Sequence, residues 1–429
     1  MRQEIKERID KIKKGQVPNG YEKKMNHIYP KEWKIKIVGD FIKSLNSGIS
    51  INTDGEKANE DEKAILKLSA IGSNIFRPEE NKKVNLKDVS KIKESVKADN
   101  ILIIRKNTPE LVGNMCFVNR DYHNLFLPDL IWQSEFKKNA LINRKFLNEI
   151  LNTDHMKYII KKLATGTSQS MKNITKENFL DIGIVIPNEL EEQNYLVDIL
   201  STWDTAIEKQ EKIIELKKEQ KKWLMQQLLT GKKRLKGFSG EERKTKLKEH
   251  IIQISVKNKN NSVTRILSVT NNRGFINQSE QFDRQVASKD TSSYKIIRKN
   301  QFGYNPSRVN VGSIDLLRDF EEGILSPIYV IFEPNKNKIF LDYLFQFIKS
   351  PNFYGQMRNL LQGSVRDNLS FDSLSEIKLF IPPIQEQKAI AEILSTADKE
   401  IDLLEKELEA IKEQKKGLMQ LLLTGIVRV

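Results

Sequence analysis

Pro128-Asp129, followed closely by Glu135-Phe136-Lys137, supplies two carboxylates and a lysine. That set can hold Mg²⁺ and drive water against a phosphodiester. The spacing is too short for the strand-turn-strand layout such a centre needs. Ser326-Pro327-Ile328 repeats the proline in the second half of the chain without an acid behind it. A standalone Mg-dependent nuclease built on Asp129, Glu135 and Lys137 is therefore the alternative reading of function rather than the first. Asn305-Pro306-Ser307-Arg308 begins like loops that hold a flipped base. Arg308 stands where the stacking aromatic belongs, and no glycine-rich cofactor loop accompanies it, so base chemistry is not expected. The loop reads as a DNA contact or as a plain turn.

Two small polar loops, Gly166-Thr167-Ser168-Gln169 and Gly363-Ser364-Val365-Arg366, have backbone amides and hydroxyls suited to phosphates. Arg366 could grip a guanine edge through paired hydrogen bonds. An ordinary capped loop is the competing reading. The DNA-contact candidates in the first half are Arg105, Asn107, Ser168, Gln169 and Lys172. Those in the second half are Arg265, Arg273, Lys289, Tyr294, Asn305, Arg308, Ser364 and Arg366. Cys116 is the single cysteine, so neither an intrachain disulfide nor a cysteine-based zinc site can form. His27, His123, His155 and His250 show no ligand spacing. No catalytic residue, metal or cofactor is expected.

The formal charge is +15 over 429 residues, spread along the chain rather than gathered in a tail. That balance favours a polyanionic partner on folded faces, with nucleic acid first. No run approaches the roughly 18 apolar residues of a membrane span. The start, Met1-Arg2-Gln3-Glu4, is charged and lacks an apolar signal region, so a cytoplasmic protein without membrane contact is expected.

Positioning these loops falls to a repeat. Ile199–Gly231 returns 194 residues later as Ile393–Gly425, identical at 21 of 33 positions without a gap; composition alone gives about two matches. Each copy follows a proline, Pro187 or Pro382, and contains no further proline or glycine except Pro383 and Gly417 before its closing glycine. Apolar residues recur at heptad spacing: Leu196, Leu200, Trp203, Ile207, Ile214, Leu224 and Leu228, then Ile390, Leu394, Ala397, Ile401, Leu404, Leu408, Ile411, Leu418 and Leu422. Each segment reads as one long helix of roughly 55 Å, ended by Gly231 or Gly425. Lys221 and Lys415 share one heptad position, where lysine is expected to fix register while its ammonium reaches water. Trp203 and Trp223 stand opposite Ala397 and Gly417 of the other copy; they read as core, with a partner-docking patch as the alternative. Gln193 and Gln387, at the starts of the helices, join them as docking candidates.

Between the helices the sequence is mixed. Ile101–Ile104, Ile182–Ile186, Val263–Val269, Pro327–Phe332 and Ile377–Ile381 look like strands, and Leu141–Lys162 like helices interrupted at Asn152-Thr153. A short helix, Glu4–Lys14, precedes Gly15. The expected organisation is 1–29, helix and linker; 30–187, first head; 188–232, central helix; 233–382, second head; and 383–429, C-terminal helix. A single apolar seam needs a partner, and the other helix is the nearest. An antiparallel pair related by a pseudo-two-fold axis brings Gly425 to where the first head begins. The fold class is therefore α+β: two mixed α/β heads separated by a long antiparallel two-helix coiled coil. At 3.4 Å per base pair such a bar spans roughly 16 base pairs of B-DNA.

The chain resembles the specificity subunit of type I restriction-modification enzymes. The resemblance rests on Pro30-x-x-Trp33, on Pro187 to Gln193 and Pro382 to Gln387, on Ile199 to Asp204 and Ile393 to Asp398, and on both Leu-Leu-Thr-Gly ends. It covers nearly the whole chain. It implies two target recognition domains that read a bipartite, asymmetric site in double-stranded DNA. It also implies two methyltransferase subunits and restriction-translocase subunits docked on the helices, and no chemistry in the subunit itself. The approach to the first helix is one residue longer than that to the second, so the two docking corners are expected to differ slightly.

Overall fold

The computed structural model describes residues 3–53, 55–72, 74–166, 171–241, 243–280, 290–362 and 368–428. Nine helices are described: α1 Gln3–Lys13, α2 Arg144–Leu151, α3 Asp154–Leu163, α4 Lys176–Leu180, α5 Leu190–Leu228, α6 Leu341–Ile348, α7 Pro351–Gln362, α8 Phe371–Ser375 and α9 Ile384–Leu422. The chain divides into two compact units: Met1–Glu208 with Glu409–Val429, and Lys209–Leu408. Each unit is thus a head together with a length of both long helices.

In the first unit, Ile42–Ser47, Asn100–Ile104, Met115–Val118 and Ile131–Phe136 form an antiparallel sheet. A second four-stranded sheet contains one parallel pairing, between Ala64–Leu66 and Tyr122–Phe126. The interruption expected at Asn152-Thr153 separates α2 from α3, because the Thr153 hydroxyl accepts from Met156 N and starts a new helix. Asn143 caps α2 in the same way, accepting from Phe146 N at 2.9 Å. The core packs Trp33, Trp132, Phe146 and Phe179 against Leu196 and Leu200 of α5 and Leu422 of α9.

In the second unit, Ile251–Ile254, Phe302–Tyr304, Ile314–Leu316 and Val330–Pro334 form an antiparallel sheet. Phe302 stacks on Phe332 with centroids 5.0 Å apart. Tyr343, Phe347 and Phe353 carry this core onto Met225 and Leu228 of α5 and onto Ile390 and Leu394 of α9. The strand expected from Val263 begins only at Leu267, and that expected from Pro327 begins at Val330.

The two units are built on one plan. Lys34–Ile37 pairs antiparallel with Gly183–Ile186, and Arg243–Lys246 pairs antiparallel with Lys378–Ile381. The backbone N–H of Val38 donates to Ile182 O at 3.0 Å, and that of Leu247 donates to Ile377 O at 2.9 Å. Helix pairing is antiparallel in each unit: Lys415 of α9 meets Asp204 of α5 in the first, and Lys221 of α5 meets Asp398 of α9 in the second. Both long helices end on a left-handed glycine, Gly231 at φ +71° and Gly425 at φ +69°. Two residues past each, a backbone N–H closes the last turn: Lys233 to Gln227 O at 3.1 Å and Val427 to Leu421 O at 2.9 Å. As the repeat required, Gly425 lies where the first head begins: its carbonyl accepts from Tyr21 OH at 2.7 Å. A Cβ there would sit 2.6 Å from Pro30 Cδ and 3.2 Å from the Trp33 ring.

Candidate nucleic-acid interface

In the first head, long-range pairing gathers three of the predicted residues. Lys106–Asn107 and Lys172–Asn173 form a short antiparallel ladder that sets Lys172 opposite Asn107. Arg105, just before it, donates to Asp129 O at 2.7 Å and reaches Asn173 Oδ1 at 3.4 Å. The Lys172 ammonium donates to Gly166 O at 3.0 Å, and Asn107 Oδ1 accepts from Thr108 N at 2.8 Å. Ser168 and Gln169, in the loop leading to this ladder, lie outside the described residues.

In the second head, Arg265, Arg273 and Arg308 are exposed. The Arg265 guanidinium lies 4.7 Å from the centroid of Phe320, and Arg273 pairs with Glu280 at 2.7 Å. Two other candidates are placed inside. Tyr294 is 9% exposed within a cluster of Val263, Ile296 and Ile324, so its ring is committed to packing. Asn305 is also 9% exposed, and its Oδ1 accepts from Ser307 N at 3.1 Å. It holds the turn that presents Arg308, which favours the turn reading for Asn305 itself. The Pro306 carbonyl accepts from Leu369 N at 3.1 Å, tying this loop to the segment after 363–367. Lys289, Ser364 and Arg366 lie outside the described residues.

The nuclease alternative finds no centre. Asp129 accepts from the Ser50 hydroxyl and lies 3.6 Å from Arg105. Glu135 is held by Lys43, Ser44 and Asn46, which pull its pKa down to about 2. The Lys137 ammonium donates to Gly39 O at 2.7 Å. The three groups thus serve separate partners, and among the described residues no cluster of His, Cys, Asp and Glu could hold a metal ion. No described helix is long and apolar enough to cross a membrane.

The frame under the heads is where the structure departs most from the sequence reading. Gln193 and Gln387, expected on a docking surface, are 0% and 1% exposed. Gln193 accepts from Asn143 N at 2.8 Å and donates to Pro187 O at 3.0 Å; Gln387 accepts from Phe340 N at 2.8 Å and donates to Pro382 O at 2.8 Å. Each amide therefore ties a helix start to the first helix of its head. The extra residue after Pro187 is absorbed before α5 begins, and the same carbonyl is still reached. Lys415 does not reach water: it is 8% exposed and ends on Asp204. Trp203 is half-buried, whereas Trp223 is 50% exposed under the Lys233 ammonium and is not core.

The structure adds a second pair of ties that the motifs did not indicate. Arg428 grips Glu192 through Nε at 3.1 Å and its terminal nitrogen at 3.0 Å. Arg234 grips the wholly buried Glu386 through Nε at 2.9 Å to both carboxylate oxygens. Arg234 and Arg428 are 194 residues apart, as are Glu192 and Glu386, so the repeat spacing could have found them. In each unit the guanidinium after one helix holds a carboxylate in the first turn of the other.

Comparison with known proteins agrees with this frame. The family profile described as "Type I restriction modification DNA specificity domain" matches residues 30–218 and 318–413. The MjaVIII specificity subunit of Methanocaldococcus jannaschii is 28% identical over 316 residues, covering 68% of this chain and 74% of that protein. The putative MjaX specificity subunit of the same organism is 26% identical over 426 residues, covering 93% and 95%. The crystal structure of a type I restriction-modification S subunit from M. genitalium shares the fold, with a TM-score of 0.54 at 14% identity over 96% of this chain and 98% of that one. A duplicated frame carrying two unlike heads, matched along most of its length by specificity-domain sequences, places this chain in the family of type I restriction-modification specificity subunits.

Proposed function

We propose that this chain is the non-catalytic, cytoplasmic DNA-reading subunit of a multisubunit adenine methyltransferase and restriction enzyme. Each head reads one half of a bipartite, asymmetric site in duplex DNA. The paired helices dock two methyltransferase subunits and, in the full assembly, the translocating restriction subunit. The observation that carries this reading is the contrast between frame and heads. The ties Gln193 and Gln387, Arg428–Glu192 and Arg234–Glu386 are duplicated almost bond for bond. The heads they hold differ in sheet architecture and in their exposed arginines. A duplicated mount suits two copies of one partner; unlike heads suit two unlike half-sites. The formal charge of +15 suits the phosphate backbone that both heads must approach.

Replacing residues 30–187 with the matching head of a relative, inside the assembled complex, tests this reading. One half of the recognised motif should change and the other persist. A change in both halves, or in neither, would contradict it.

A further inference from the structure

Arg105 is anchored at both ends of its backbone and along one edge of its side chain. Its N–H donates to Leu130 O at 3.0 Å, and its carbonyl accepts from Ile174 N at 2.9 Å. Nε donates to Asp129 O at 2.7 Å, and Nη2, on the same edge of the guanidinium, lies 3.6 Å from Asp129 Oδ2. The Asp129 carboxylate is itself held by the Ser50 hydroxyl. One N–H of Nη1 reaches Asn173 Oδ1 at 3.4 Å. A guanidinium carries five N–H groups in a rigid plane. Two that remain, one on each terminal nitrogen, lie side by side at the far end of that plane, and among the described residues neither has a partner. The side chain is 30% exposed.

The second unit shows that the common frame does not need this anchoring. There the Pro306 carbonyl accepts from Leu369 N as the Arg105 carbonyl accepts from Ile174 N. Ile174 and Leu369 each precede the capping residue of a short helix, Thr175 of α4 or Ser370 of α8. Pro306 therefore takes the place of Arg105. The strand pairs Ile103–Trp132 and Tyr304–Val330 then coincide, and three residues before Trp132 and Val330 stand Asp129 and Pro327. Two prolines thus replace the arginine and the aspartate while the shared hydrogen bond persists. The Arg105–Asp129 pair belongs to what distinguishes the first head, not to its mount.

We propose that Arg105 reads a guanine in the first half-site, gripping O6 and N7 through its two outer N–H groups, and that Asp129 is the positioning residue that aims it. This rests on the DNA-reading role proposed above. Guanine is the base whose major-groove edge presents two adjacent acceptors, which the end of a guanidinium matches. A phosphate also presents paired acceptors, but Asp129 offsets the charge of Arg105. That weakens attraction to an anion and leaves a neutral base edge unpenalised. A fixed plane, held on one edge and at one terminal nitrogen, is what discrimination between base edges requires.

The test uses the assembled complex and duplexes carrying its methylated motif. In the half read by the first head, each guanine is replaced in turn by 7-deazaguanine, which lacks the N7 acceptor. Wild type should bind one such duplex about tenfold or more weakly than the parent. Arg105→Ala and Arg105→Gln should bind the two alike. Asp129→Ala should retain a smaller preference while binding unrelated duplex at least as tightly as wild type, an effect that a merely structural role would not produce. Absence of guanine from that half, indifference of wild type to every replacement, or the full preference in the Arg105 variants would overturn the proposal. Wild-type indifference combined with uniformly weaker binding by Arg105→Ala would assign Arg105 to phosphate instead. These failures leave the bipartite reading intact, because that reading is decided by the exchange of residues 30–187.

Discussion

Lys415 and Asp204 are paired across the antiparallel helices of the first unit, and their repeat counterparts, Lys221 and Asp398, are paired in the second with the helices exchanged. This reciprocity is what a two-fold relation between copies demands: the lysine of each copy finds the aspartate of the other. An ion pair at such a position specifies register, because sliding either helix by a turn would strand both charges.

The two pairs should not cost the same to break. Lys415 is buried, and Asp204 lies near a buried acid, Glu149. Asp398 is more exposed and also accepts from Gln346 Nε2 at 2.9 Å. Lys415→Ala should destabilise the first unit by about 1–3 kcal/mol, and Lys221→Ala the second by less. Denaturant melts of the single variants, with Asp204→Ala completing a double-mutant cycle, check the order. Equal costs would contradict this account of the seam.

Glu149 makes a pH prediction. It is 1% exposed, and Asn74 Nδ2 lies 2.9 and 3.0 Å from its two oxygens. Burial raises its pKa above the ordinary carboxylate range, outweighing the nearby Lys415. A group whose pKa is raised by folding contributes stability below its unfolded value and loses it as pH rises through the folded value. Wild-type stability should therefore fall as pH climbs above the carboxylate range. Glu149→Gln, which places in the first unit the amide that Gln346 provides in the second, should remove that slope and be the more stable form at neutral pH. Parallel melting curves of the two proteins across pH would refute it.

His250 has the opposite sign. It is 7% exposed, and among the described residues neither ring nitrogen has a hydrogen-bond partner. Burial lowers its pKa, with Lys338 adding to the effect and Glu249 opposing it. The unfolded chain takes up a proton below about pH 6.5 while the folded chain resists, so stability is lost as pH falls. His250→Phe should flatten this acid limb. Persistence of the full slope in the variant would assign it elsewhere.

Glycine separates strain from crowding. Gly15 and Gly425 have φ of +71° and +69°, but a Cβ at Gly15 meets nothing within 4 Å, whereas at Gly425 it meets Pro30 at 2.6 Å. Both alanine variants carry the left-handed penalty of about 1 kcal/mol, and only Gly425→Ala must also displace Pro30 and Trp33. The drop in melting temperature should be clearly larger for Gly425→Ala.

What could be read from the sequence follows from the distance over which each feature is encoded. The long helices, their antiparallel sense and the place of Gly425 all rest on a local heptad and a fixed spacing, and they stand as expected. The same spacing also encodes Arg234 with Arg428 and Glu192 with Glu386, beyond the identical stretch. Gln193 and Gln387 read as surface polar residues because nothing local shows the backbone N–H groups of Asn143 and Phe340 arriving above them. Tyr294 read as a DNA contact because its apolar neighbours Val263 and Ile324 lie far off in sequence. Lys172 and Asn107 lie far apart in sequence; only the fold sets them face to face.

The central claim is that two unlike heads on a duplicated frame read two unlike half-sites. Genome-wide sequencing of methylated adenines in the host, with and without this chain, tests it most directly. The account predicts a bipartite, asymmetric motif with one methylated adenine in each half, lost when the chain is deleted. A continuous or palindromic motif, or methylation unchanged by the deletion, would contradict it.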